Sequence, residues 1–139
     1  MDNKSFESRE LITFQIGRGE FCVDIMAVRE IRGWTQATPL PFAPPYVCGV
    51  INLRGAVLSI IDLSARLGFP PTEPSARHVI IVVQIGEQVA GLLVDAVTGI
   101  LAAKPDAILP TPDVASELAH NFIAGVLAID DRMINLVAA

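Results

Sequence analysis

A mainly β chain folded as two similar small barrels is the architecture that this sequence predicts. Three observations carry that prediction. Apolar residues alternate with polar ones, or run unbroken, over stretches of strand length. Helical periodicity is confined to two short segments. The chain also repeats itself: "QIGRGEFCVDIMAVREI" (15–31) matches "QIGEQVAGLLVDAVTGI" (84–100), and "GVINLRGAVLSII" (49–61) matches "GVLAIDDRMINLV" (125–137), in the same order.

The elements follow along the chain. "LITFQI" alternates, with Ile12, Phe14 and Ile16 on one face and Thr13 and Gln15 on the other. "EFCVDI" alternates through Phe21, Val23 and Ile25, and Gly17-Arg18-Gly19 between the two runs marks a hairpin. Further strand-like runs cover 47–53, 56–63, 78–85, 89–94 and 123–137, and short helical signals cover 63–67 and 114–120. Proline clusters interrupt the chain at 39–45, 70–74 and 109–113. The expected organisation is one domain, 1–139, whose halves 9–69 and 78–137 form the two barrels, with a linker near 70–77. Neither half is large enough for a substantial core of its own, so the two must pack against one another.

The repeat explains a feature that its strands alone do not. In "GVINLRGAVLSIIDL" (49–63) an arginine interrupts an apolar run, and an unpaired charge inside a buried strand would be costly. The repeat lays Arg54-Gly55 over Asp130-Asp131, and both pairs separate strand-like runs. Glycine takes positive φ freely and aspartate tolerates it, so both pairs suit tight turns. Arg54 is then a turn residue with a hydrated charge. Yet a turn needs no arginine. Glu30 matches Gly99, and Arg54 matches Asp130, so the first half carries an acid and a base that the shared fold does not require. A Glu30–Arg54 pair at the barrel mouth, orienting a partner surface, stands beside the plainer reading of two solvated charges.

Composition limits the function. The chain is 52% hydrophobic and 18% charged, which suits a packed globule. Its net charge is −5 with no basic run, so nucleic acid is not an expected partner. No apolar run is long enough to span a bilayer, and the polar first residues do not resemble a signal peptide, so no direct membrane insertion and a cytoplasmic location are expected. Cys22 and Cys48 have neither metal nor redox spacing and read as reduced thiols. His78 and His120 lack neighbouring ligands, and Ser59 lacks a nucleophile-elbow context. Asp62 and Asp95 each close an apolar run and read as strand-end or cap residues. Gly17 and Gly19 form no phosphate loop. No catalytic residue, metal site or cofactor is expected, and the chain does not read as an enzyme.

Four segments together resemble a family. "GVINLRGAVLSIIDLSARLG" (49–68) is similar to the signature segment of the CheW-like bacterial chemotaxis coupling proteins. "DIMAVREIRGW" (24–34), "AGLLVDAVTGIL" (90–101) and "FIAGVLAIDDRMINLV" (122–137) resemble its other segments, in the right order from about residue 9 onward. Two departures stand out. The sequence stops at Ala139, where many members continue into a further helix, and Trp34 stands where tyrosine is frequent.

The resemblance implies two SH3-like five-stranded β-barrels around a shared core, with short helices and no catalytic activity. It implies a cytoplasmic adaptor, recruited to membrane-associated receptor arrays. Its partners would be the helical hairpin tip of methyl-accepting chemoreceptors and the regulatory domain of a CheA-type histidine kinase. By position, Val28 and Ile31 match groove residues of the family, with Val79, just after the linker, a further receptor-binding candidate. Glu30 and Arg54 match its acid and arginine near that groove. Val114 matches a kinase contact, and Gly49 a position sensitive in coupling that backbone geometry alone also explains. Aliphatic anchors with charges at the rim suit an amphipathic helix in a groove. The alternative is a binding module of another chemosensory-type pathway.

Overall fold

A computed structural model describes residues 9–110 and 123–138, and the strands among them form two hydrogen-bonded sheets. The first half supplies β1 (Arg9–Ile16), β2 (Gly19–Asp24), β3 (Val28–Gly33), β4 (Val47–Leu53) and β5 (Ala56–Asp62), followed by the single-turn helix α1 (Leu63–Arg66). The second half supplies β6 (Val79–Ile85), β7 (Gln88–Val94), β8 (Ala96–Ala103), β9 (Ile108–Leu109), β10 (Ile123–Ile129) and β11 (Arg132–Val137). One sheet runs β8-β1-β2-β11-β10-β9, the other β3-β6-β7-β5-β4. The expected helix at 114–120 and the candidate Val114 lie outside the described residues.

The pairing carries the internal repeat. Hairpin β1–β2 sets Phe14 opposite Phe21, and β6–β7 sets Val83 opposite Ala90, the positions 69 residues further on. β11 pairs β2 in parallel, as β5 pairs β7. Bulges fall at matching places in β3–β6 and β1–β8, and again in β4–β5 and β10–β11. Even the sixth strand has a counterpart: β9 pairs β10 at Val126, and in the other sheet a single bridge joins Thr38 to Val50.

The sheets do not coincide with the sequence halves. The division at 9–69 and 78–137 assigns one barrel to each half, but β1–β2 joins β8–β11 and β6–β7 joins β3–β5. Each half lends its opening hairpin to the other. The physical reason lies in those hairpins, which are apolar on both faces and must be covered on both. Leu11 and Cys22 point into the six-stranded sheet's own interior with Leu127, Ile134 and Leu136. Ile80, Val82 and Leu93 point into the five-stranded sheet's interior with Ile51, Leu58 and Ile60. Their neighbours Ile12, Phe14, Val23, Ile81, Val83 and Leu92 meet between the sheets in the shared core. Successive strand residues face opposite ways, so each hairpin serves two cores.

The turns bear out the reading of Arg54. Arg54 has φ 51° and Gly55 φ 87°, while Asp130 in the second half has φ 53°. The Asn52 carboxamide oxygen accepts from the Gly55 amide at 2.8 Å, which accounts for the second polar residue in that apolar run. Asp62 is buried at the end of β5, caps α1 and accepts from the Thr72 amide and hydroxyl, both at 2.7 Å. The segment entering the linker is thereby tied to the strand it leaves. Burial pushes the Cys22 thiol up to about 12, against the opposing Arg9 charge. Burial, with Asp62 adding, pushes Cys48 up to about 11, so both thiols stay protonated at neutral pH.

Candidate functional site

The face to which the sequence points is built on β3 and β6. These strands pair antiparallel, with Val28 opposite Val83, Glu30 opposite Val82, Ile31 opposite Ile81, Arg32 opposite Ile80 and Gly33 opposite Val79. Residues directly opposite share a face. The extra residue at the bulge, Arg29, shifts the alternation, so Val28 and Ile31 fall on the same side. That side is the one turned toward the shared core, because Ile81 and Val83 belong to it. Val28 and Val79 are half-buried and pack against the core, whereas Ile31 is 45% exposed. The three aliphatic candidates therefore form one strip, with Ile31 its open member.

Glu30 and Arg32 take the other side, toward the mouth of the five-stranded sheet. There the Arg54 Nη2 donates to Glu30 Oε1, across 24 residues of sequence. Arg32 Nη1 donates to the second oxygen, Oε2, at 3.2 Å. Hydrogen bonding from Arg54 holds the Glu30 carboxyl below the usual carboxylate range; partial burial opposes this and Arg32 adds to it. Beside the pair, Leu53, Ala56, Val57, Leu58 and Val89 line a shallow hollow. Glu30 is thus clamped between two guanidinium groups on a rim with an apolar floor.

Among the described residues, the six-stranded sheet has no such clamp. Its counterparts of Glu30 and Arg54 are Gly99 and Asp130. The six-stranded sheet carries a different ion pair, Arg132 to Glu20, with Nε to Oε1 at 3.0 Å and Nη2 to Oε2 at 2.5 Å. Those residues correspond to Ala56 and Val89 of the five-stranded sheet, which form part of the apolar floor. The two barrel mouths differ because charge and apolar surface have been exchanged at equivalent positions.

Gly49 stands apart from the strip. It is buried in β4 with φ 145°, and a Cβ there would lie 2.3 Å from the Thr38 carbonyl oxygen. Backbone geometry alone demands glycine. The other chemical candidates have structural partners. The His78 ring Nδ1 accepts from the Ser75 amide at 3.0 Å, with Nε2 3.6 Å from Asp95. Asp95 accepts from the Gly17 amide at 2.7 Å and so ties the β1–β2 turn to the other sheet.

Arg32, Val57 and Val89 are the site residues that the sequence reading missed. For Arg32 a signal existed: a charge two residues after Glu30 in an alternating strand shares its face. For Val89 the signal was its replacement by Glu20 across the repeat; Val57 matches the equally apolar Met133 and carried none.

Comparison with known proteins agrees with this fold. The model of the CheW-like domain matches residues 10–139. The chemotaxis protein CheW of Rhizobium meliloti is 64% identical over 129 residues, 93% of this chain and 83% of that protein. The chemotaxis protein CheW of Klebsiella aerogenes is 36% identical over 129 residues, 93% of this chain and 78% of that protein. The crystal structure of the scaffolding protein TtCheW from Thermoanaerobacter tengcongensis matches with a TM-score of 0.87 at 31% identity, covering 95% of this chain and 90% of that one. With the family's model matched from residue 10 to residue 139, the chain belongs to the CheW-like family.

Proposed function

We propose that this chain is a non-catalytic adaptor of chemotaxis signalling that couples chemoreceptors to a CheA-type histidine kinase. The observation that carries the reading is that β3 presents the strip of Val28 and Ile31, with Val79 of β6, on one side and the Glu30–Arg54 clamp on the other. An amphipathic helix needs an aliphatic seat and charges that fix its rotation and direction. The receptor's helical hairpin tip is the occupant we assign to that strip. Gly49 and Val114 are the assigned kinase-side positions, Gly49 acting through the shape of β4 rather than by direct touch. No described helix is long and apolar enough to cross a membrane, and recruitment to receptor arrays would follow from the receptor contact.

The experiment compares Ile31→Asp with Val28→Asp, using calorimetric binding to a receptor cytoplasmic fragment and thermal unfolding. Ile31 is open, so its variant should weaken binding about tenfold or more at nearly unchanged stability. Val28 packs on the shared core, so its variant should lose stability as well, by roughly 1–3 kcal/mol. Unchanged binding by folded Ile31→Asp would refute the assigned seat.

A further inference from the structure

The open margins of the two sheets are not equally protected. β3 carries Arg29, Glu30 and Arg32 within six residues. β4 is covered by the Thr38 bridge, with Thr38 N to Val50 O at 2.8 Å and Val50 N to Thr38 O at 2.9 Å. β9 is two residues long. β8 is different. Its eight residues, "AVTGILAA", contain no charge and no proline. It pairs β1 on one side, and no described strand pairs it on the other. The bulge at Thr98 interrupts its first part and leaves Gly99 to Ala103 as a regular margin. Ile100 there is 63% exposed.

The repeat makes the contrast specific. β8 is the counterpart of β3, and Arg29, Glu30 and Arg32 of β3 become Thr98, Gly99 and Leu101. The charges that keep one margin single are missing from the other. Natural sheets blunt exposed margins with charge, proline, bulges or cover, and a margin left plain is a template for pairing.

We propose that β8 pairs antiparallel with β8 of a second copy of this chain, extending the six-stranded sheet across a two-fold axis. Charge at the two ends of the strand selects this occupant. Asp95 immediately precedes β8 and Lys104 immediately follows it. In an antiparallel pair of identical strands, each copy's Asp95 end meets the other copy's Lys104 end. Both ends are complementary at once, as an isologous contact requires. Ile100 lies near the middle of the strand, so the two copies of this exposed side chain approach one another near the axis. The pairing uses the six-stranded sheet, whereas β3–β6 belongs to the five-stranded one.

Sedimentation of the full chain over a range from micromolar to several hundred micromolar tests the proposal. The expected result is a reversible monomer–dimer equilibrium. Ile100→Lys sets two like charges near the axis and should raise the dissociation constant roughly tenfold or more. Lys104→Asp should weaken the dimer in the same direction by opposing two acids at each end. Oxidative cross-linking of Ile100→Cys supplies an arm independent of those variants' folding. It should yield a covalent dimer faster than Val57→Cys, an exposed site on the other sheet. A monomer at every concentration, a dimer indifferent to Ile100→Lys, or equal cross-linking at both sites would overturn the proposal.

Discussion

Gly49→Ala places a methyl group where the structure has no room. The new Cβ would stand 2.3 Å from the Thr38 oxygen and 2.7 Å from its carbonyl carbon. The backbone at φ 145° is also a conformation that L side chains rarely adopt. Strain of that kind costs about 1–3 kcal/mol. To make space, the 37–39 segment must withdraw, and with it the two bridge hydrogen bonds between Thr38 and Val50. These add about 1 kcal/mol each. The expected destabilisation is about 3–5 kcal/mol, a large share of the 5–15 kcal/mol that holds a typical domain together. Urea unfolding followed by circular dichroism reads it directly. Gly125→Ala is the internal comparison, 76 residues further on. Its Cβ would meet the Leu109 oxygen at 2.7 Å, but its φ is not positive. It should cost less, about 1–3 kcal/mol. A Gly49→Ala protein within about 0.5 kcal/mol of the parent would refute the reasoning. If that stable protein also lost kinase binding, Gly49 would be a contact and not a backbone requirement.

Two other consequences follow from particular residues. Phe42 follows Pro41 in a tight turn, with φ 61° and a fully exposed side chain. Phe42→Asn suits that backbone and should stabilise the chain by about 1 kcal/mol in thermal unfolding; a comparable loss would show that the ring makes a contact of its own. Arg132 holds the Glu20 carboxyl below its ordinary range, as Arg54 does Glu30. A depressed folded value means stability that is present above the unfolded carboxylate range and lost as pH falls through the folded one. The urea midpoint should therefore hold down to about pH 5 and decline below about pH 4, less steeply in Glu20→Gln; an equal acid decline in that variant contradicts the assignment.

How much of this was legible in the sequence depends on what each strand had to do. β4 and β5 were readable because their apolar runs meet at a turn whose chemistry is local, Arg54-Gly55 with Asn52 folding back on it. β3 was harder. "VREIRG" alternates, but its regular partner is β6, far along the chain, and the bulge at Arg29 moves Ile31 onto the same side as Val28. No periodicity count anticipates that shift. The exchange of hairpins between the halves was invisible for another reason. Alternation shows that a strand is apolar on both faces, but not which sheet covers each face. β9 is two residues long and exists only because β10 lies beside it. The Glu30–Arg54 clamp was legible because the repeat showed both charges to be unnecessary for the fold. Arg32, the third member, was missed although the same comparison marks it, since a leucine stands at the equivalent place.

The most direct test is the rate of autophosphorylation of a CheA-type kinase mixed with a receptor cytoplasmic fragment, measured with and without this chain. The expected result is a receptor-dependent change in rate that requires the chain. That change should be lost with Ile31→Asp, and impaired by either Glu30→Ala or Arg54→Ala, while each variant stays folded. In the pair, the double variant should lose less than the sum of the singles, because the two groups act together. A kinase rate indifferent to the chain at saturating receptor, or full coupling by folded Ile31→Asp and by both single charge variants, would contradict the assignment of the β3–β6 face as the coupling site.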